Sequence, residues 1–132
     1  MMKTQITYKE FTDMRLMPAD HNGEEFNATI EFNDNSLRRV PIRDTDLLLS
    51  KPGDTVRVLG RIVFDGVPEK RESVMIFMDT NRLTEFVERF GTSKITGTVR
   101  VRLMLRYAVC EESPDPKRRG EVVAFRLLEL YE

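Results

Sequence analysis

The sequence predicts a mainly β fold, a small antiparallel barrel of about six to seven strands with one amphipathic helix. Alternation of apolar and polar residues dominates the chain, and one segment has the i, i+3, i+4, i+7 spacing of a helix. At 132 residues, the chain has the length of one domain and can bury a core without disulfide bonds or metals. We therefore expect residues 1–132 to form a single barrel-like domain.

Two long runs carry the strand pattern most clearly. In Asp54–Phe64 and in Val99–Val109, apolar residues alternate with arginines. Because the side chains of a strand point alternately to its two faces, one face of each run is predicted to be buried and the other solvated. Shorter strand-like runs are Gln5–Phe11, Phe26–Phe32, Leu37–Ile42, Ser73–Met78 and Val122–Tyr131, with a hairpin turn expected at Asp34-Asn35.

Helical spacing is found in the segment Thr80–Phe90. Its apolar stripe consists of Leu83, Phe86, Val87 and Phe90. Asp79 or Thr80 can cap the start of this helix, and Gly91 can take the left-handed conformation at its end. A short helical turn is also expected at Asp44–Ser50.

The first long run has features of a barrel strand. It is longer than a typical strand of a flat sheet, and Gly60 in its middle permits the bend that a barrel corner requires. The segment Gly53–Ile62 resembles the opening strand of many oligonucleotide/oligosaccharide-binding (OB) barrels. This resemblance implies an OB-like or related barrel, and we expect the helix to close one of its open ends.

The composition excludes most catalytic and metal chemistry. Cys110 and His21 are the only cysteine and histidine, so zinc sites, iron–sulfur clusters and an internal disulfide lack ligands or partners. Nucleophilic catalysis would depend on His21 in a turn-like loop, and no glycine-rich phosphate-binding motif is present. We therefore expect no enzymatic activity and no cofactor. Carboxylate pairs leave an all-carboxylate site open; they are Glu24-Glu25, Asp44 with Asp46, and Glu111-Glu112.

Charge and hydropathy also bear on location. The net charge of −1 argues against a protein that binds nucleic acid or membranes through bulk charge. The N-terminal segment lacks the apolar run of a signal peptide, and no stretch is long enough to span a bilayer. We expect a cytoplasmic protein that makes no membrane contact.

Arginines form the pattern that points to a function. They occupy the positions opposite the apolar residues of both long runs, and no acidic residue interrupts them there. The predicted nucleic-acid-binding residues are Arg57, Arg61, Arg100, Arg102, Arg106, Lys117, Arg118 and Arg119. Guanidinium groups suit phosphate oxygens, so the sequence predicts a non-catalytic module that binds single-stranded nucleic acid.

Base stacking requires exposed aromatic rings, which are scarce in this chain. It contains no Trp, and most phenylalanines occupy positions expected in the core. The candidates for exposed rings are Tyr8, Phe11, Phe125 and Tyr131. Without such rings, binding would depend on phosphate contacts and would fall steeply with salt.

Two other interpretations of the arginines stay open. Arginines on solvated strands keep sheets soluble and pair with glutamates across strands. Together with apolar neighbours such as Leu59 and Met104, they also suit a structural or adaptor protein that homo-oligomerises or docks a partner protein.

Overall fold

The computed structural model describes residues 5–33, 37–38, 54–90, 97–111 and 116–131. These residues form α1 (Tyr8–Leu16), a 3-10 turn (Pro18–His21), β1 (Glu25–Phe32), β2 (Leu37–Arg38), β3 (Asp54–Phe64), β4 (Val67–Asp79), α2 (Thr80–Phe90), β5 (Gly97–Cys110), a second 3-10 turn (Pro116–Arg118) and β6 (Gly120–Leu130). The predicted turns at Asp34-Asn35 and Asp44–Ser50 lie outside the described residues, as do Gly91 and most of Leu37–Ile42. Neither described helix is long and apolar enough to cross a lipid bilayer.

The predicted β-barrel is confirmed. Five strands follow one another in the order β1–β5–β6–β4–β3, and β3 pairs with β1 to close the ring. All of these pairings are antiparallel except β4–β6, which is parallel and joins Ile76 to Phe125 and Phe77 to Arg126. Within the described residues the ring has five strands, whereas we expected six to seven. The short strand β2 adds only two residues at one edge of β3 and is not one of the five.

The interior follows the predicted alternation. In β3, Val58, Ile62 and Phe64 are buried, and in β5 the buried positions are Val99, Val101, Leu103 and Leu105. The arginines between them point outward. The alternation fails at the end of β5, where Val109 is 47% exposed and Cys110 is buried. This end runs beyond the residues that β1 pairs with, so no barrel interior is left there for Val109 to enter.

Gly60 allows β1 to cross β3 at close range. A Cβ atom at this position would lie 2.5 Å from Cγ2 of Ile30 and 3.2 Å from Cε1 of Phe32. Both of those side chains are buried in the core. The barrel corner expected at Gly60 is therefore a place where only a glycine leaves room for the neighbouring strand.

Helix α1 packs against the barrel where the sequence predicted a strand. Of the predicted strand Gln5–Phe11, only Gln5 makes a strand bridge, to Asn27, and the helix begins at Tyr8. Thr7 and Glu10 have the spacing of a capping box; the Thr7 Oγ1 accepts the Glu10 backbone N–H at 3.1 Å and donates to the Glu10 carboxylate. The buried ring of Phe11 then packs between the rings of Phe64 and Phe125, at 5.6 and 6.0 Å.

Helix α2 has the predicted bounds and packs across the other end. The Asp79 carboxylate caps it by accepting the Arg82 backbone N–H at 2.8 Å. Phe86, on the predicted apolar stripe, is fully buried and meets the ring of Phe32 edge to face at 4.8 Å. The chain after β6 is bound at the same end. The Tyr131 backbone N–H donates to the Arg100 carbonyl, and the Tyr131 carbonyl accepts from the Arg89 guanidinium.

Candidate nucleic-acid interface

The outward side chains of β3, β4, β6 and β5 form one continuous surface, which we name the arginine face. Strand register orders it in three rows two residues apart. The first row is Arg57, Phe77, Arg126 and Met104, paired across all four strands. The other two rows continue the β3–β4 and β5–β6 pairs on either side of the short β4–β6 junction: the second is Leu59, Met75, Ala124 and Arg106, and the third is Arg61, Ser73, Val122 and Ala108. These positions include four arginines and no acidic residue. The surface is therefore positively charged although the chain as a whole is not.

An apolar cluster forms the floor of the arginine face. Phe77 is only 1% exposed although it points away from the barrel interior, and Ala124 beside it is fully buried. Met75, Ala108 and Val122 pack around these two residues as a cluster separate from the main core. The sequence placed Phe77 among core residues but did not show that it belongs to this second cluster.

Two of the four arginines have partners within the face or at its border. The Arg57 Nη1 lies 3.8 Å from the Met75 sulfur. Arg126, which is 13% exposed, approaches the Asp79 carboxylate at 3.5 Å. Since that carboxylate also caps α2, one acidic group serves both the helix and the border of the face. Arg126 was not among the predicted binding residues, although its position as the one charged residue in the apolar run Val122–Leu128 could have indicated it.

The other two arginines carry donors that the described residues do not satisfy. The Arg106 Nη1 is buried and has no hydrogen-bond acceptor among them. Arg61 is exposed between Ser73 of β4 and Glu31 of β1, its two register partners, and makes no ion pair with a described residue. A buried guanidinium N–H without an acceptor is unfavourable.

The remaining predicted strand arginines lie beside β1. Arg102 pairs with carboxylates on both neighbouring strands, with Glu25 at 3.6 Å and Glu129 at 3.7 Å. Arg100 stands opposite Thr29 of β1. The β5–β6 register shifts between Arg102 and Leu103, so these two arginines are separated from Arg106 by an irregularity that residue spacing in the sequence does not reveal.

The hairpin between β5 and β6 carries the predicted loop cations. Lys117 and Arg119 are exposed at the second 3-10 turn, which also contains the backbone of Arg118. Lower on this hairpin, the Tyr107 hydroxyl donates to the Glu121 carboxylate at 3.1 Å. Desolvation, together with this hydrogen bond, raises the pKa of Tyr107.

The four candidate rings for base stacking are all placed away from the arginine face. Phe11 and Phe125 are in the core. Tyr8 packs edge to face on Phe64, with the Lys70 ammonium 5.6 Å above its ring. The Tyr131 hydroxyl donates to the Asn27 side chain at 2.7 Å.

Nothing in the described residues suggests a metal centre, because no three His, Cys, Asp or Glu side chains among them are grouped to hold an ion. His21 instead pairs with the neighbouring Glu24 carboxylate in the loop before β1. Asp44, Asp46 and Glu112 lie outside the described residues. Comparison with known proteins found neither a family model nor a curated protein that matches this chain.

Proposed function

We propose that the protein is an OB-type barrel that binds single-stranded nucleic acid on the arginine face. The observation that carries this proposal is a surface spanning four strands, with four arginines and no acidic residue among its twelve named positions. Arg61 and Arg106 are the proposed primary phosphate contacts. Arg57, Arg126 and the exposed loop cations Lys117 and Arg119 extend the positive surface around them.

The strand arrangement supports an OB-type barrel. OB folds are five-stranded Greek-key barrels that bind their ligands on the face of the second and third strands and at two adjoining loops. In this barrel the second and third strands are β3 and β4, which supply two of the four strands of the arginine face. The β5–β6 hairpin, with its basic turn, corresponds to one of the two loops.

Local charge outweighs net charge at this surface. Exposed charges more than about 8–10 Å apart are largely screened at physiological salt, so distant carboxylates do not cancel the arginines at contact range. Among the described residues, two carboxylates lie at the border of the face: Glu31 is opposite Arg61 in register, and Asp79 is 3.5 Å from Arg126. The near-zero net charge does remove long-range attraction. We therefore expect a complex that forms at low salt and weakens as salt rises, because phosphate contacts release counterions.

Removing the two primary contacts tests the proposal. We expect the double variant Arg61→Gln with Arg106→Gln to bind a fluorescent single-stranded oligonucleotide about tenfold or more weakly, by anisotropy at about 50 mM salt. The matched control, Arg15→Gln with Arg82→Gln, removes the same charge from one residue on each helix, the exposed Arg15 and the partly exposed Arg82. The control should bind like the unmodified protein.

Two outcomes would contradict the proposal. The unmodified protein could fail to bind DNA and RNA oligonucleotides at low salt, or the two double variants could lose affinity equally. In the second case the loss would reflect total charge rather than the arginine face. Melting temperatures of both variants show whether either change unfolds the protein.

Docking of a partner protein or a second copy on the same face is the second candidate function. It is favoured by Leu59, which is 53% exposed in the middle row, next to Met75. Exposed apolar side chains among arginines are typical of protein interfaces. Light scattering of the unmodified protein discriminates between the two, because a stable dimer that binds no oligonucleotide would favour docking.

A further inference from the structure

The aromatic residues of this chain are almost fully accounted for. The segments outside the described residues contain no Phe, Tyr or Trp, and Phe90 at the end of α2 is the one ring whose side chain is not described. Of the other phenylalanines, all but Phe26 are buried, and Phe26 packs edge to face on Phe125. The three tyrosines contact Phe64, Glu121 and Asn27.

The arginine face therefore has one ring, and that ring is covered. Phe77 lies in the first row, but with 1% of its surface exposed it has no open face on which a base could stack. The exposed apolar group nearest to it in register is the aliphatic side chain of Leu59, one row away. Sequence-tolerant single-strand binders ordinarily gain affinity from bases stacked on exposed aromatic rings, in addition to backbone contacts.

The polar groups of the face are better suited to phosphates than to a mixed set of bases. Guanidinium donors can bind guanine O6 and N7, but adenine and cytosine also present donors that need an acceptor, and Ser73 is the single hydroxyl among the face positions. The Arg61 guanidinium is exposed and Arg106 is partly exposed one row away, and guanidinium donors suit phosphate oxygens. Neither contact depends on whether a base is attached to the sugar.

On the basis of the proposed function, we infer that the arginine face recognises the phosphodiester backbone alone. A strand without bases would then bind about as tightly as one that carries them. This distinguishes the protein from binders that use a stacking platform, in which each stacked base contributes about fivefold to 150-fold in affinity.

Three probes of equal length test this inference against the unmodified protein. They are a mixed-sequence single-stranded DNA, an abasic phosphodiester strand, and a peptide nucleic acid that has the same bases on an uncharged backbone. We expect the dissociation constants of the first two to agree within about fivefold, the contribution of a single stacked base. The peptide nucleic acid should show no binding.

The outcomes separate the inference from the proposal on which it rests. A loss of more than fivefold for the abasic strand, or binding of the peptide nucleic acid, would overturn backbone-only recognition and leave nucleic-acid binding intact. Failure of the mixed-sequence DNA and the abasic strand to bind would overturn both. Replacing Arg61 and Arg106 with Gln should weaken both charged probes by the same factor, and unequal factors would also contradict the inference.

Discussion

Single residues decide where the chain can pack closely and where it stays open. Gly60 lets β1 approach β3, since a Cβ there would overlap the side chain of Ile30. By contrast, Arg106 has a polar atom that the packing leaves unsatisfied, since its buried Nη1 lacks an acceptor among the described residues. One position is required by the packing of the barrel, whereas the other leaves a polar group that folding alone does not satisfy.

The change Gly60→Ala should lower the free energy of unfolding by about 1–3 kcal/mol, because the added methyl group must displace two buried side chains at the strand crossing. Urea denaturation measures this loss. The control is Ser73→Ala, an exposed position of β4, which should change stability by less than about 0.5 kcal/mol. Equal midpoints for Gly60→Ala and the unmodified protein would show that β1 and β3 are not in close contact there.

At the scale of elements, the two helices differ in how well the sequence predicts them. Helix α2 spans eleven residues with an apolar stripe on every turn, so its period identifies it without reference to the rest of the fold. Helix α1 spans nine residues and buries only Phe11 and Met14. So few apolar positions do not distinguish a helix from a strand, and the Thr7–Glu10 capping box was the available signal.

Removing that cap tests how far α1 depends on it. We expect Thr7→Ala to destabilise the protein by about 1 kcal/mol, because the Glu10 backbone N–H loses its acceptor. Thr7→Ser keeps a hydroxyl at the same position and should stay close to the unmodified protein. Thermal unfolding of the three proteins gives the comparison, and a loss shared by both variants would mean that the methyl group, not the cap, matters.

The candidate site could be predicted in composition but not in arrangement. Alternation in the sequence correctly indicates that Arg57, Arg61 and Arg106 point outward. It does not indicate which strands become neighbours, so Arg126 was missed, and the pairing of arginines with glutamates across strands, which stayed open, could not be assigned to Arg102. These facts depend on strand order and on the irregular β5–β6 register, which arise from contacts between residues far apart in the chain.

For the whole molecule, salt dependence is the clearest expected property of the arginine face. The slope of log affinity against log salt is about −0.7 for each phosphate neutralised on a single strand, so four arginines give a slope of about −3. Anisotropy titrations across a range of KCl concentrations measure it. A slope near zero would mean that the bound ligand is held by apolar contacts, which the Leu59→Ala variant would then weaken.

The parallel junction between β4 and β6 joins them through just two registered residue pairs, while their antiparallel partnerships are far longer. Local opening of the barrel should begin at this junction, because separation of the two strands there disrupts the fewest backbone hydrogen bonds. Phe77 and Arg126 form one of the two pairs and also sit in the first row of the proposed contact surface. A polyanion bound across that row would contact both sides of the junction. Its binding would therefore stabilise the closed barrel, and a closed barrel would bind it more tightly.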